Sequence, residues 1–197
     1  MPRGLQACKQ SVSAMATHAS TDHFERFGIP RSFDMDLGVL DSRYRELQRT
    51  VHPDRFASAG EAERRLSMQQ ATTINEGYQT LKDPLKRGRY LLELSGYKLG
   101  DEPHTTRDTA FLMEQMELRE ALGEVRGNSD PFAALETIMD RIAEDIVTLQ
   151  AQLRENFERA TVADLEVAAT ALMKMQFYRR LQEEVMDLEA ALEDELV

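Results

Sequence analysis

The chain is 197 residues long, 42% hydrophobic and 30% charged, with one cysteine, Cys8. That length gives one large domain or two small ones with modest cores; a lone thiol excludes an intramolecular disulfide and any zinc-ribbon or iron–sulfur ligand set built from several cysteines of one chain. The net charge of −11 is unevenly placed, since residues 1–19 carry +2, residues 20–99 carry +1 and residues 100–197, with 9 basic and 23 acidic side chains, carry −14. A half of that sign repels phosphate backbones, so nucleic acid is not an expected partner for it and a basic protein surface is. No apolar run approaches the length that crosses a bilayer, so no membrane span is expected.

Residues 1–20 hold Arg3, Lys9 and several serines with no acid, as a transit peptide can, and Met15 offers a later start. They are expected to be a disordered extension. Beyond them strand signals are nearly absent and 3.6-residue periods recur, which predicts an all-α fold. A short segment over Asp22–Phe27 is closed by Gly28 and Pro30. Asp36 then caps a helix whose Leu37, Leu40, Tyr44, Leu47 and Val51, at intervals of 3, 4, 3 and 4, make one buried stripe. Pro53 disfavours the α region at His52 and has no N–H to continue the ladder, so the helix stops there. After a loop to about Gly60, a helix from Glu61 to Lys82 places Leu66, Ile74, Tyr78 and Leu81 at core spacing. Asp83-Pro84 caps a shorter helix with Leu85, Leu91 and Leu92 that ends at Gly96.

Residues 97–107 have Gly, Pro and no period, and read as a linker between domains. Three longer helices follow and predict a small bundle. The first covers Asp108–Val125, with Phe111, Leu118, Leu122 and Val125 inward. The second opens at Asp130-Pro131 and runs near Asn156, with Leu135, Ile138, Ile142, Ile146, Leu149 and Leu153 inward. Thr161 with Asp164 forms a capping-box variant opening the last. There Met173, Phe177, Leu181, Val185, Leu188 and Leu192 recur at 4, 4, 4, 3 and 4, while Leu165, Ala168, Leu172 and Met175 line another face. On that pattern Phe177 is a core residue.

No Gly-rich phosphate loop, His-x-x-x-His pair or nucleophile elbow occurs, and His18, His23, His52 and His104 are scattered. Catalysis, a resident cofactor and a metal site are therefore not expected. His52-Pro53-Asp54 alone reads as a helix-ending turn with a solvated acid. Its context is more specific, because it lies between two amphipathic helices, after Tyr44-Arg45-Glu46-Leu47 and before Asn75-Glu76-Gly77-Tyr78-Gln79-Thr80-Leu81-Lys82-Asp83-Pro84. This arrangement resembles the J domain of DnaJ-type co-chaperones, whose helical hairpin presents a His-Pro-Asp loop to the ATPase domain of a seventy-kilodalton heat-shock chaperone. At 100° per residue Arg45 and Arg49 fall on the outer face of the first helix with Arg43 at its flank, a solvated face by default. The resemblance implies that they meet an acidic chaperone surface, although Glu46 stands where many general J domains are basic.

The helix from Asp108 has a surplus. Leu112, Met113 and Met116 point away from its core stripe, on a face that continues into Glu117, Glu120 and Glu124. A bundle helix buries one face, so this patch packs on the N-terminal domain or receives a partner. The run from His104 to Glu120 (HTTRDTAFLMEQMELRE) closely resembles the HscB family, J-type co-chaperones of iron–sulfur cluster biogenesis, and the likeness extends from about Thr21 to the C-terminus. It implies a J domain over residues 21–96 that engages the specialised chaperone HscA, and a three-helix domain over residues 108–197 that holds the scaffold protein IscU. Scaffold contacts are implied at Leu112, Met113, Met116, Glu117, Glu120 and Glu124, with an aromatic at Phe177. Met116 stands where Leu is common, a volume-conserving change.

The expected function is a non-enzymatic co-chaperone, cytoplasmic in a bacterium or in the mitochondrial matrix if the source is eukaryotic. The absence of an N-terminal cysteine-rich zinc motif favours the former. The competing reading is a general J-domain adaptor for unfolded clients, against which the Gly/Phe-rich region and Cys-x-x-Cys fingers of such adaptors are missing. An enzyme using His52 and Asp54 as acid and base lacks any substrate-binding constellation.

Overall fold

The computed structural model describes residues 22–52, 60–97 and 108–195. Among them there are seven α-helices and no strand: α1 His23–Phe27, α2 Leu37–Val51, α3 Glu61–Lys82, α4 Pro84–Leu94, α5 Thr109–Glu124, α6 Pro131–Arg159 and α7 Val162–Glu195. The all-α expectation holds. The N-terminal extension, the linker positions from 98 to 107, and Pro53 and Asp54 lie outside the described residues. The chain divides into two compact units, one holding α1 to α3, the other α4 to α7 together with Ser32–Asp34.

In the first unit the helix ends follow their caps. Asp22 accepts from the Glu25 N–H at 2.9 Å to open α1, and Gly28, at φ +63°, closes it in the left-handed region that suits glycine. Asp36 accepts from the Gly38 and Val39 N–H groups at 2.7 and 3.2 Å, and α2 ends at His52, which is extended before Pro53. α2 and α3 run antiparallel through a seam that is largely polar. Tyr44 stacks on Tyr78 with ring centres 4.1 Å apart, and the Tyr44 hydroxyl and Gln48 amide both donate to Asn75 at 2.8 and 2.6 Å. Tyr78 donates to Asp41 at 2.8 Å, and buried Ser67 donates to the Val51 carbonyl at 2.7 Å. Leu40, Val51, Ile74 and Leu81 supply the apolar filling, with Phe24 and Phe27 of α1. Gly77 allows that close approach, because a Cβ there would lie 2.9 Å from His23 Nδ1.

Of the expected stripes Tyr44, Leu47 and Tyr78 are half-buried, and two residues stand out further. Leu37 and Leu66 are each 45% exposed. With Asp41 against Tyr78 and Tyr44 against Asn75, Leu37 falls opposite Lys82, where α3 stops, and Leu66 lies beyond the level of Val51, where α2 has stopped.

In the second unit α6 and α7 form the long antiparallel pair. Asp130 accepts from the Ala133 N–H at 3.1 Å to open α6, whose Leu135, Ile138, Ile142, Leu149 and Leu153 are buried. The turn into α7 uses Ala160 at φ +50°, followed by the reciprocal Thr161–Asp164 box: Thr161 accepts from the Asp164 N–H at 3.2 Å and Asp164 from the Thr161 N–H at 3.3 Å. Along α7 the buried set is Leu165, Ala168, Leu172, Met175, Tyr178, Leu181, Val185 and Leu192, whereas Met173, Phe177 and Leu188 are only half-buried. A four-residue step overshoots a turn by about 40°, so Met173, Phe177 and Leu181 spiral off a single face. α4 packs in this unit. Gly88 meets Leu172, whose Cδ2 would lie 2.5 Å from a Cβ, and the buried Arg87 guanidinium sits 5.0 Å from the centre of Phe33, itself stacked 5.8 Å from Phe157.

Candidate functional site

The basic candidates lie on α2 and, for His52, just past its end. Arg43, Arg45, Arg49 and His52 are all exposed, but Arg43 Nη1 is held 3.0 Å from Glu46 Oε2, so this acid partly neutralises the flank. No helix among the described residues is long and apolar enough to cross a membrane, and no group of three metal-ligating side chains occurs among them.

The more fully built site lies on α5. Its start is fixed by Asp108, whose Oδ1 accepts from the Phe111 N–H at 3.1 Å while its Oδ2 accepts from Lys174 Nζ of α7 at 2.7 Å. These bonds, that to Lys174 foremost, hold the Asp108 carboxyl below the usual carboxylate range. Lys174 also lies 4.9 Å from the centre of the Phe111 ring. Phe111, buried, sits edge-on to Phe177 and Tyr178 at 5.6 and 5.9 Å. Leu118 and Val125 continue this inner face, buried to 1% exposure, with Leu122 half-buried.

The outer face is the opposite. Leu112, Met113 and Met116 are 39, 59 and 71% exposed, and Glu117, Glu120 and Glu124 beside them are exposed as well. Phe177 is neither pure core nor pure surface: one edge packs on Phe111, and the Arg119 guanidinium covers its ring at 5.8 Å. On the other flank Arg141 of α6 approaches Glu114 at 3.7 Å and Glu117 at 3.3 Å. Burial, and after it the Asp145 carboxylate, push Glu114 up, against the pull of Tyr178; burial and both carboxylates push the Tyr178 phenol up.

The structure thus gathers Leu112, Met113, Met116, the three acids and Phe177 in one unit. Sequence reasoning missed Arg119, Arg141, Lys174 and the Glu114–Asp145–Tyr178 group. Only Arg119 left a readable signal, as the one cation of α5, seven residues after Leu112 and three after Met116.

A family model described as the HSCB C-terminal oligomerisation domain matches residues 107–186. Among solved structures, the chain is similar to the chaperone HscB from Vibrio cholerae, with 40% identity over 87% of this chain and 99% of that one and a TM-score of 0.77. It is also similar to the human co-chaperone protein HscB, with 32% identity over 88% of this chain and 85% of that one and a TM-score of 0.80.

Proposed function

The chain belongs to the HscB family, and on that premise we propose that it is a co-chaperone of iron–sulfur cluster biosynthesis which binds the scaffold protein IscU, delivers it to the DnaK-type chaperone HscA and stimulates that chaperone's ATPase. Residues 21–96 act as the J domain, with His52, Pro53 and Asp54 as the stimulating loop and Arg43, Arg45 and Arg49 as the basic face met by the chaperone. Residues 108–197 hold the scaffold through Leu112, Met113, Met116, Glu117, Glu120, Glu124 and Phe177. The compartment is the bacterial cytoplasm, or the mitochondrial matrix in a eukaryotic source.

The observation that carries this reading is the two-faced helix α5. Its inner face is occupied by Phe111, Leu118 and Val125, while three large apolar side chains stand outside with an acidic border. An apolar centre with a charged rim is the usual anatomy of a protein interface. The acids steer a basic partner, and the apolar residues are desolvated by it.

The test is the ATPase rate of the chaperone with this chain, with the scaffold, and with both. Both together should stimulate more than the two rates added. Additive rates would refute delivery of the scaffold, and equal enhancement by unrelated unfolded proteins would favour a general adaptor.

A further inference from the structure

The apolar face of α5 contains one residue of the wrong sign for an acidic docking surface. Arg119 is the only cation between Thr109 and Glu124, and it is exposed. At 100° per residue it falls about 20° from Leu112 and about 60° from Met116 around the helix. It therefore continues their row toward α7, where its guanidinium lies over Phe177, 5.8 Å from the ring centre. A partner seated on Leu112, Met116 and Phe177 together has to cover it.

Its local chemistry is also unlike that of its neighbours. Arg141 approaches Glu114 and Glu117, and Lys174 is bonded to Asp108. Arg119 makes no ion pair among the described residues, and the positions three and four away from it are Gln115, Met116, Leu122 and Gly123, none of them acidic. The cation–π contact leaves the guanidinium N–H groups to be satisfied by water. Once a partner excludes that water, an unmatched guanidinium is strongly unfavourable, while a carboxylate set against its planar fork makes two parallel charge-assisted hydrogen bonds.

We propose that Arg119 is a specificity-determining residue: held over Phe177 in the middle of the docking face, its guanidinium receives a carboxylate side chain of the scaffold, inside a contact whose rim is matched by basic groups. This rests on the reading that α5 is the scaffold-binding face. A basic protein lacking that carboxylate would be steered to the acids and then rejected at the centre, which is selection by an unpaired buried charge.

Long-range and local electrostatics make opposite forecasts for one substitution, and that makes the proposal testable. Removing a cation from an acidic face increases the attraction for a basic partner, so if Arg119 is a bystander, Arg119→Gln in the full chain should bind the folded scaffold faster and tighter. If it pairs with a carboxylate, the complex should dissociate roughly ten- to hundredfold faster with association unchanged or quicker, and Arg119→Lys, a point charge without the fork, should fall between. Each Asp and Glu of the scaffold changed to Asn or Gln should then be cycled against Arg119→Gln. One position should weaken the wild-type complex and have no further effect on the variant. Unchanged or slower dissociation of Arg119→Gln, or no coupled carboxylate, overturns the proposal. The Leu112/Met113/Met116 triple alanine variant, measured alongside, separates the failures: if it too binds normally, the face itself is wrong, and if it alone is weakened, only the role of Arg119 falls.

Discussion

Truncating the outer face of α5 should separate binding from folding, and its exposed fractions set the size of the effect. Fully burying a Leu or Met side chain is worth about 1.5–3 kcal/mol. A partner can gain only the part still exposed: 39% for Leu112, 59% for Met113 and 71% for Met116. That scales to about 0.6–1.2, 0.9–1.8 and 1.1–2.1 kcal/mol, so the triple alanine variant should lose about 3–5 kcal/mol, roughly two to four decades in Kd. The order Met116, Met113, Leu112 is part of the forecast. Because the same side chains contribute little to the unit's interior, the melting temperature should shift far less than a comparable loss from the core implies. Calorimetric titration of the scaffold into each single variant and the triple variant, with thermal melts of the same samples, measures both. Unchanged affinity in a folded triple variant, or Leu112 dominating the loss, would refute the reasoning from exposed area.

Three further outcomes are expected. Asp54→Asn should lower ATPase stimulation by about one to two decades, the worth of a charge-assisted hydrogen bond, and leave the melting temperature unchanged; full stimulation would remove the loop from the mechanism. Gly88→Ala should cost about 1–3 kcal/mol in urea unfolding, because its Cβ would lie 2.5 Å from a Leu172 side chain that is itself buried, and Leu172→Ala should recover part of the loss. Full stability would mean that α4 and α7 do not meet there. The folded Glu114 carboxyl stands above its ordinary value of 4.5, so its contribution is present below pH 4.5 and is lost as pH rises through the folded value. Glu114→Gln should therefore flatten that loss and unfold at higher urea than wild type at neutral pH. Urea midpoints on both sides of the carboxyl range decide it, and an unchanged slope would mean that Glu114 is fully solvated.

Helix boundaries were legible because their causes lie within a few residues of one another. The Asp36 cap reaches two and three residues ahead, the Thr161–Asp164 box spans three, and Pro53 acts on the residue before it. The limits of each buried stripe were not, since they depend on where the opposite helix ends. Leu37 and Leu66 obey the helical period and are still exposed for that reason. The face of α7 was misjudged in part because apolar residues occupy much of its circumference. The inward side mixes small and large residues: Ala168, Ala169 and Ala171 are buried with Leu172, Met175 and Tyr178, while Phe177 is half out.

The outward apolar face of α5 was legible for a different reason: one helix displayed two apolar stripes where a bundle can bury only one. What the sequence could not show is how that helix is held while its outer side stays open. The holding groups are remote in sequence, Lys174 from Asp108 by 66 residues, and no local rule pairs them. Their placement has a consequence for function. Phe111, Leu118, Val125 and the Asp108–Lys174 pair fix α5 from inside and at its start, so Met113 and Met116 have little packing duty and Leu112 only a share of one. The outer face can then be chosen for a partner with little effect on the fold. Phe177 is the exception, because it packs edge-on to Phe111 inside and meets Arg119 outside. Substitutions at Phe177 should therefore change stability and recognition together, and Arg119, exposed and 5.8 Å from the Phe177 ring centre, is the cleaner place to alter recognition alone.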